Sequence, residues 1–256
     1  MEIRLDNKVA VVTGASRGIG QAIAHSFAEA GAHVMMVSRK QEALEATREQ
    51  IIADGVDPEL LHVMAANAGE PEAGQAVMAA TIERFGAIDI LVNNAATNPH
   101  YGPTLEVDES RYDKTFQVNL RGPLFWTKAA WEHGFKGGTG KAVLNIASVG
   151  GLRAEGALGV YNLTKAALIH MTRQLASELG PTVRVVGIAP GLIQTDFAKV
   201  LVDNFGETLA RRLPTKRLGV PQDIANLAVF LVSDKASWIT GETYVIDGGA
   251  GVSGAG

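Results

Sequence analysis

The run LGVYNLTKAAL sets Tyr161 and Lys165 four residues apart among apolar neighbours. Residues at i and i+4 share one face of a helix, so the pattern places a phenol beside an ammonium. A free tyrosine titrates at about 10. A neighbouring positive charge favours the phenolate, and the spacing therefore predicts a Tyr161 pKa lowered toward neutrality. A carbonyl that accepts hydride becomes an alkoxide and takes up a proton as it forms. A phenol tuned in this way exchanges that proton in both directions. Alone, Tyr161 also reads as an amphipathic core side chain, so the chemistry depends on what surrounds it.

A second stretch, TGASRGIG (13–20), follows the apolar run KVAVVT and opens a helical pattern. Gly14 suits a tight turn, while Gly18 and Gly20 let backbone approach a ligand closely. Uncommitted N–H groups at the helix start, helped by the helix dipole, suit a pyrophosphate. The spacing is G-x-x-x-G-x-G and not G-x-G-x-x-G, and a glycine turn required only for packing has the same look. The next apolar run ends in VSRK, placing Ser38 and Arg39 where NAD sites usually carry an acid for the ribose hydroxyls. Arg17 and Arg39 together offer a 2′-phosphate two guanidiniums, which favours NADP(H) over NAD(H). Their plainer role is that of two solvated surface arginines.

These residues need a scaffold, and the hydrophobic pattern supplies one. Short Val/Ile/Leu runs recur at 8–13, 32–38, 60–66, 88–94, 141–148, 183–190 and 242–249, separated by longer helical patterns. Continuous apolar runs of this kind mark strands buried on both faces of a parallel sheet. One long helix is expected from Glu109 to Trp131, and another across Tyr161. The expected fold class is α/β: a single Rossmann domain over residues 1–256, doubly wound about a seven-stranded parallel sheet. Such sheets bind ligands beyond the carboxyl ends of their strands. The glycine turn, Ser148 and the segment after residue 190 all fall there.

Composition narrows the function. With 46% apolar and 20% charged residues, the 256-residue chain has ordinary globular character. A formal net charge of −4 gives no electrostatic case for nucleic acid or an anionic membrane. Cysteine is absent, which removes disulfides, thiolate nucleophiles and Cys-based zinc sites. The six histidines are scattered without ligand spacing, so no metal is expected. No run approaches the roughly 18 apolar residues of a membrane helix, and the first residues lack the apolar core of a secretory signal. A cytoplasmic location is the default expectation.

TGASRGIG, IDILVNNAA, Asn119 in FQVNLRG, Ser148, YNLTK and IAPGLIQT follow one another across residues 8–249. Together they resemble the short-chain dehydrogenase/reductase family. The resemblance implies that Tyr161 is the general acid in reduction and the general base in oxidation, and that Ser148 hydrogen-bonds the substrate oxygen. Lys165 would also hold the nicotinamide ribose hydroxyls, and Asn119 would anchor a water in a proton relay. Cofactor contacts are implied at Gly14, Ser16, Arg17, Gly18, Ile19 and Gly20, at Arg39, and at Asn67, Asn93 and Ala95. Tyr161, Lys165, Pro190, Ile193 and Thr195 complete the set. Asn67 stands where the family usually has an acid near adenine. Ala96 replaces a usual glycine, so a positive φ there would be strained.

The resemblance also implies a substrate lid near 195–220. There Phe197, Val200, Leu201 and Phe205 either face the substrate or pack on the body. His100, Tyr101, Arg153 and Glu155 border the same mouth. A homotetramer is implied, built on the C-terminal strand edge and on the helices around Asn119 and Tyr161. The expected activity is NADP(H)-dependent reduction of a ketone or aldehyde to the alcohol, in the manner of a 3-oxoacyl-carrier-protein reductase or a general carbonyl reductase. One rival is an NAD-dependent secondary alcohol or sugar dehydrogenase of the same family. The other is a non-catalytic regulator that senses NADP(H).

Overall fold

The computed structural model describes residues 3–253, together with all side chains in that range except those of Val200 and Ser253. Its seven strands are β1 (Val9–Thr13), β2 (His33–Ser38), β3 (Leu61–Ala65), β4 (Ile90–Asn93), β5 (Lys141–Ile146), β6 (Val183–Pro190) and β7 (Thr243–Ile246). Each lies inside one of the apolar runs. They form one sheet in the order β3-β2-β1-β4-β5-β6-β7, with every pair parallel. The helices that cover it are α1 (Gly18–Glu29), α2 (Gln41–Ala53), α3 (Pro71–Phe85), α4 (Glu109–Phe116), α5 (Gly122–Ala130), α6 (Gly159–Leu179), α7 (Lys199–Arg212) and α8 (Pro221–Val232). This is the expected doubly wound Rossmann arrangement.

The strands read as unbroken apolar runs because both of their faces are covered. Successive side chains point to opposite faces. Thus Ala10 and Val12 join Ile23 and Phe27 of α1 and Leu231 of α8 in one core. Val11, between them, joins Val77 and Met78 of α3 and Trp126 of α5 in the other. Each such aliphatic side chain contributes about 1.5–3 kcal/mol by leaving water. β1 pairs with β2 on one side and β4 on the other, so the chain's direction of travel across the sheet reverses between β1 and β4. A crevice opens at the carboxyl ends of such a reversal.

One expectation is corrected. The stretch from Glu109 to Trp131 is not a uniform α-helix: α4 and α5 are separated by a π-helical segment, Gln117–Arg121, and a second one, Trp131–Phe135, follows. The cause of the first is in the sequence. A regular helix would bond the N–H of residue 123 to the carbonyl of Asn119, and residue 123 is proline, which has no N–H. The wider turn absorbs the missing bond, and Asn119 sits inside it.

Candidate active site

The glycine turn is built to leave donors open. Gly14 and Gly18 adopt positive φ, 67° and 57°, and a Cβ at Gly20 would lie 2.2 Å from the Gly14 carbonyl oxygen. The backbone therefore folds on itself where no side chain fits. Arg17, in extended conformation, begins α1 with no side-chain cap, so the first N–H groups of the helix have no partner of that kind. Ser16 and Ser38 share a hydrogen bond of 2.9 Å that fastens the turn to the end of β2. Arg39 follows there and is exposed, while Ile19 packs against the core. Arg17 is paired at 3.5 Å with Asp196, at the start of the lid.

Asn94, not singled out in the sequence, braces this turn. Its Nδ2 donates to the carbonyls of Thr13 (2.9 Å) and Gly14 (3.2 Å). The Thr13 hydroxyl accepts from the N–H groups of Asn94 (3.0 Å) and Ala95 (3.1 Å). The side chain of Asn93 points the other way, donating to Asn145 Oδ1 (2.9 Å) inside the sheet. Ala96 is not strained: among the described residues the non-glycine positions with positive φ are Asn7, Ala157 and Lys216. Asn67 lies just past β3 in a tight turn, where its Oδ1 accepts from Gly69 N at 3.1 Å.

Ser148 lies just beyond β5, Tyr161 and Lys165 on the first turns of α6. The Ser148 hydroxyl is near enough to Tyr161 to favour its phenolate, and Ser148 Oγ accepts from Gly150 N at 3.1 Å. Lys165 is 2% exposed; its Nζ lies 5.5 Å from the centre of the Tyr161 ring and donates to the Ile146 carbonyl at 2.8 Å. Burial brings the Lys165 ammonium down to about 7. For Tyr161 the direction in the ligand-free protein is opposite to that expected from the spacing. Burial raises the phenol, and the bond to Ser148 and the nearby Glu155 charge act against and with that rise respectively. A lysine whose charged form burial disfavours, and whose Nζ is bonded to a backbone carbonyl, does not offset the phenol's desolvation.

Asn119 is wholly buried, and both N–H donors of its amide are used. Oδ1 accepts from Thr97 N (2.8 Å), and Nδ2 donates to Thr97 O (2.9 Å) and Thr164 Oγ1 (3.2 Å). The side chain thus ties the segment after β4 to α6, leaving no N–H of its amide for a water. Pro190 ends β6, and Ile193 is buried beside Gly219. Thr195 begins the turn Asp196–Ala198 that leads into α7.

The lid presents aromatic surface at the mouth. The Phe197 ring lies 5.9 Å from the Tyr161 ring, tilted by 42°, and Phe197 is 53% exposed. Phe205 is also exposed, whereas Val202 and Leu209 pack on Leu213 and Leu218. The Val200 side chain lies outside the described residues. His100 is buried and bonded to the Pro103 carbonyl at 3.0 Å, so it supports the loop, and Tyr101 is exposed.

These residues fit a dinucleotide: an uncapped helix start within a glycine cradle receives phosphate, and a buried amine lies at the far end of the crevice. Among the described residues no group of acids and histidines could hold a metal ion, and no helix is long and apolar enough to cross a membrane.

Known proteins share both sequence and shape with this chain. A family model described as Enoyl-(Acyl carrier protein) reductase matches residues 14–251. The pig (Sus scrofa) protein Dehydrogenase/reductase SDR family member 4 is 42% identical over 96% of this chain and 88% of its own length. A Brucella melitensis short-chain dehydrogenase/reductase described as a glucose/ribitol dehydrogenase superposes with a TM-score of 0.91 at 32% identity, covering 97% of this chain and 98% of the other. A Burkholderia cenocepacia short-chain dehydrogenase in complex with NADP gives 0.87 at 32% identity, covering 97% and 100%. With its sheet order, its Ser148–Tyr161–Lys165 cluster and these matches, the chain belongs to the short-chain dehydrogenase/reductase family of nicotinamide-dependent oxidoreductases.

Proposed function

We propose that the protein is an NADP(H)-dependent carbonyl reductase that converts a ketone or aldehyde, such as a 3-oxoacyl thioester, reversibly to the alcohol. The observation that carries this reading is the buried Lys165 ammonium 5.5 Å from the centre of the Tyr161 ring, with Ser148 close to the phenol. When bound, the cofactor supplies the hydride. The Ser148 hydroxyl donates to the substrate oxygen and stabilises the charge that develops there. Tyr161 gives its proton to the same oxygen and takes it back in the oxidative direction. Lys165 has three N–H donors. Ile146 accepts one, and the others serve the nicotinamide ribose hydroxyls. In its charged form Lys165 favours the phenolate that Tyr161 leaves behind. Asn119 keeps the segment after β4 in register with α6.

Arg39, exposed beside the Ser16–Ser38 bond, is the guanidinium assigned to the 2′-phosphate, with Arg17 as its second partner. The match to a structure in complex with NADP supports the same assignment. Exposed apolar side chains in two parts of the chain support a homotetramer. One holds Tyr112, Leu124 and Leu163 on the helices around Asn119 and Tyr161. The other holds Val245 on β7 and Trp238, which is 98% exposed. Apolar surfaces of this kind seek a partner. The absence of cysteine agrees with work in the cytoplasm.

The test is the Tyr161→Phe variant, assayed with NADPH and a panel of ketones and aldehydes. The expected outcome is a rate loss of about 100- to 10,000-fold with NADPH binding retained by fluorescence. A wild-type protein that binds NADPH and turns over no carbonyl or alcohol would instead be a cofactor sensor. Preference for NADH with a secondary alcohol would identify the NAD-dependent dehydrogenase.

A further inference from the structure

The segment between Ser148 and α6 carries two charged side chains that the reaction above leaves unused, Arg153 and Glu155. Both are half-buried, and their ion pair is loose, with Arg153 Nη2 at 3.7 Å from Glu155 Oε1. The other carboxyl oxygen of Glu155 lies toward Gly150. A Cβ added to Gly150 would lie 2.7 Å from Glu155 Oε2 and 2.1 Å from Asn162 Oδ1, so the two oxygens flank one point beside the Ser148 turn. Asn162 is only 8% exposed, and its Oδ1 is buried without a hydrogen-bond donor. A buried acceptor without a donor, set beside a carboxylate oxygen, is costly, and one proton between them removes the cost. A carboxylic acid O–H is a donor that would serve Asn162 Oδ1 there.

We propose that Glu155 is a positioning residue that works as the neutral acid: its carboxyl proton bridges to Asn162 Oδ1, ties the Ser148 turn to α6 and keeps a negative charge away from Tyr161. The surrounding electrostatics agree. Burial pushes the Glu155 carboxyl up, and the Arg153 guanidinium opposes that rise. The other titratable groups are Tyr161 on α6 and Lys165 one turn further on, whose ammonium is bonded to Ile146. The facing turn Thr104–Glu106 brings the uncharged Thr104 against Gly159, and its Glu106 is exposed. Ionised, Glu155 raises the Tyr161 phenol. Loss of its proton therefore breaks the bridge and opposes the phenolate at the moment Tyr161 must form one.

The experiment compares wild type with Glu155→Gln, whose amide keeps a donor for Asn162 and cannot ionise. Thermal unfolding of both ligand-free proteins is followed from about pH 5 to 9. A carboxyl with a raised folded pKa contributes stability that is full below its unfolded pKa and lost as pH rises through the folded one. The melting temperature of the variant relative to wild type is therefore expected to climb with pH and then level. In the kinetic arm, kcat/KM of the wild type for NADPH-driven reduction falls several-fold on the alkaline side, as the Glu155 charge makes Tyr161 a weaker acid. Glu155→Gln lacks that fall, and KM for NADPH is the same in both. Melting differences independent of pH, with superposed rate profiles, would overturn the proposal: Asn162 would then present its NH2 to an ordinary carboxylate. Should the variant not fold, carbon-13 titration of the wild-type Glu155 carboxyl separates the same two cases: a raised pKa supports the bridge, and an ordinary one overturns it. The kinetic arm rests on the reductase reading. If the wild type reduces no carbonyl, that reading fails, and the unfolding arm still decides where the proton is.

Discussion

The Lys165 ammonium lies 5.5 Å from the centre of the Tyr161 ring while donating to the Ile146 carbonyl 2.8 Å away. The cation meets the ring and the backbone, whereas the phenol oxygen meets Ser148. Burial then dominates both groups in the ligand-free protein, bringing the lysine down and the phenol up. The pair is tuned for proton transfer when Lys165 carries its charge, and that charge is what the fold opposes.

Lys165 should therefore cost stability. Its folded pKa of about 7 lies below the usual 10.5. Between these values the unfolded chain binds the extra proton, so stability falls as pH drops and the penalty is complete below 7. Lys165→Met removes the charge and keeps the volume. The variant is expected to be more stable than wild type by about 2 kcal/mol near pH 6, a gain that disappears toward pH 10, while turnover is lost. Calorimetry across pH checks this, and a constant difference would contradict it.

Arg39→Asp is expected to weaken NADPH binding by about 30-fold, the worth of a charge-assisted contact to phosphate, and to leave NADH nearly unchanged. Asp196→Asn acts in the opposite sense, freeing Arg17 from its exposed partner and tightening NADPH by about fivefold at most. Fluorescence titration with both cofactors reads both variants. Equal changes for NADPH and NADH would remove the arginines from the 2′-phosphate.

Phe197→Ala strips the aromatic surface that faces Tyr161. KM for an apolar ketone should rise about tenfold, in line with the burial worth of an aromatic contact, with little change in kcat. A small polar aldehyde should be indifferent. Steady-state kinetics on the two substrates decide the matter, and a shared loss would mean that Phe197 only supports the lid.

The exposed apolar pair Leu124 and Leu163 should lie inside the oligomer. Light scattering after size exclusion is expected to give four times the 27.0 kDa of one chain. The double change Leu124→Glu, Leu163→Glu should halve it. A wild type that runs as a monomer would reject the arrangement.

The strands were legible because a run such as KVAVVT, apolar at nearly every position, fits a strand covered on both sides. Ser148, Tyr161 and Lys165 were legible as types at a spacing, and the fold brings all three together. What the sequence hid was direction and burial. Asn93 and Asn94 are identical letters, and only strand alternation sends one into the sheet and the other to the glycine turn. The sign of the Tyr161 shift depends on desolvation, which spacing does not report. On the lid, helical spacing pointed to Phe197, Val200, Leu201 and Phe205, as a substrate face or as packing; Phe197 and Phe205 are exposed, and Val202 and Leu209 pack on Leu213 and Leu218. The broken helix did have a signal, the proline at 123, which a reading of apolar periodicity passes over.

The wide turn at Gln117–Arg121 also makes the helix a device that counts. Deleting one residue there, Leu120 for instance, leaves Pro123 still without an N–H to give, so the wide turn persists one residue short and α4 swings by roughly 100° against α5. Asn119 would then leave Thr97 and Thr164, although every side chain of the site was still present. At this point the protein is as sensitive to the number of its residues as to their identity: phase, here, is part of the catalytic apparatus.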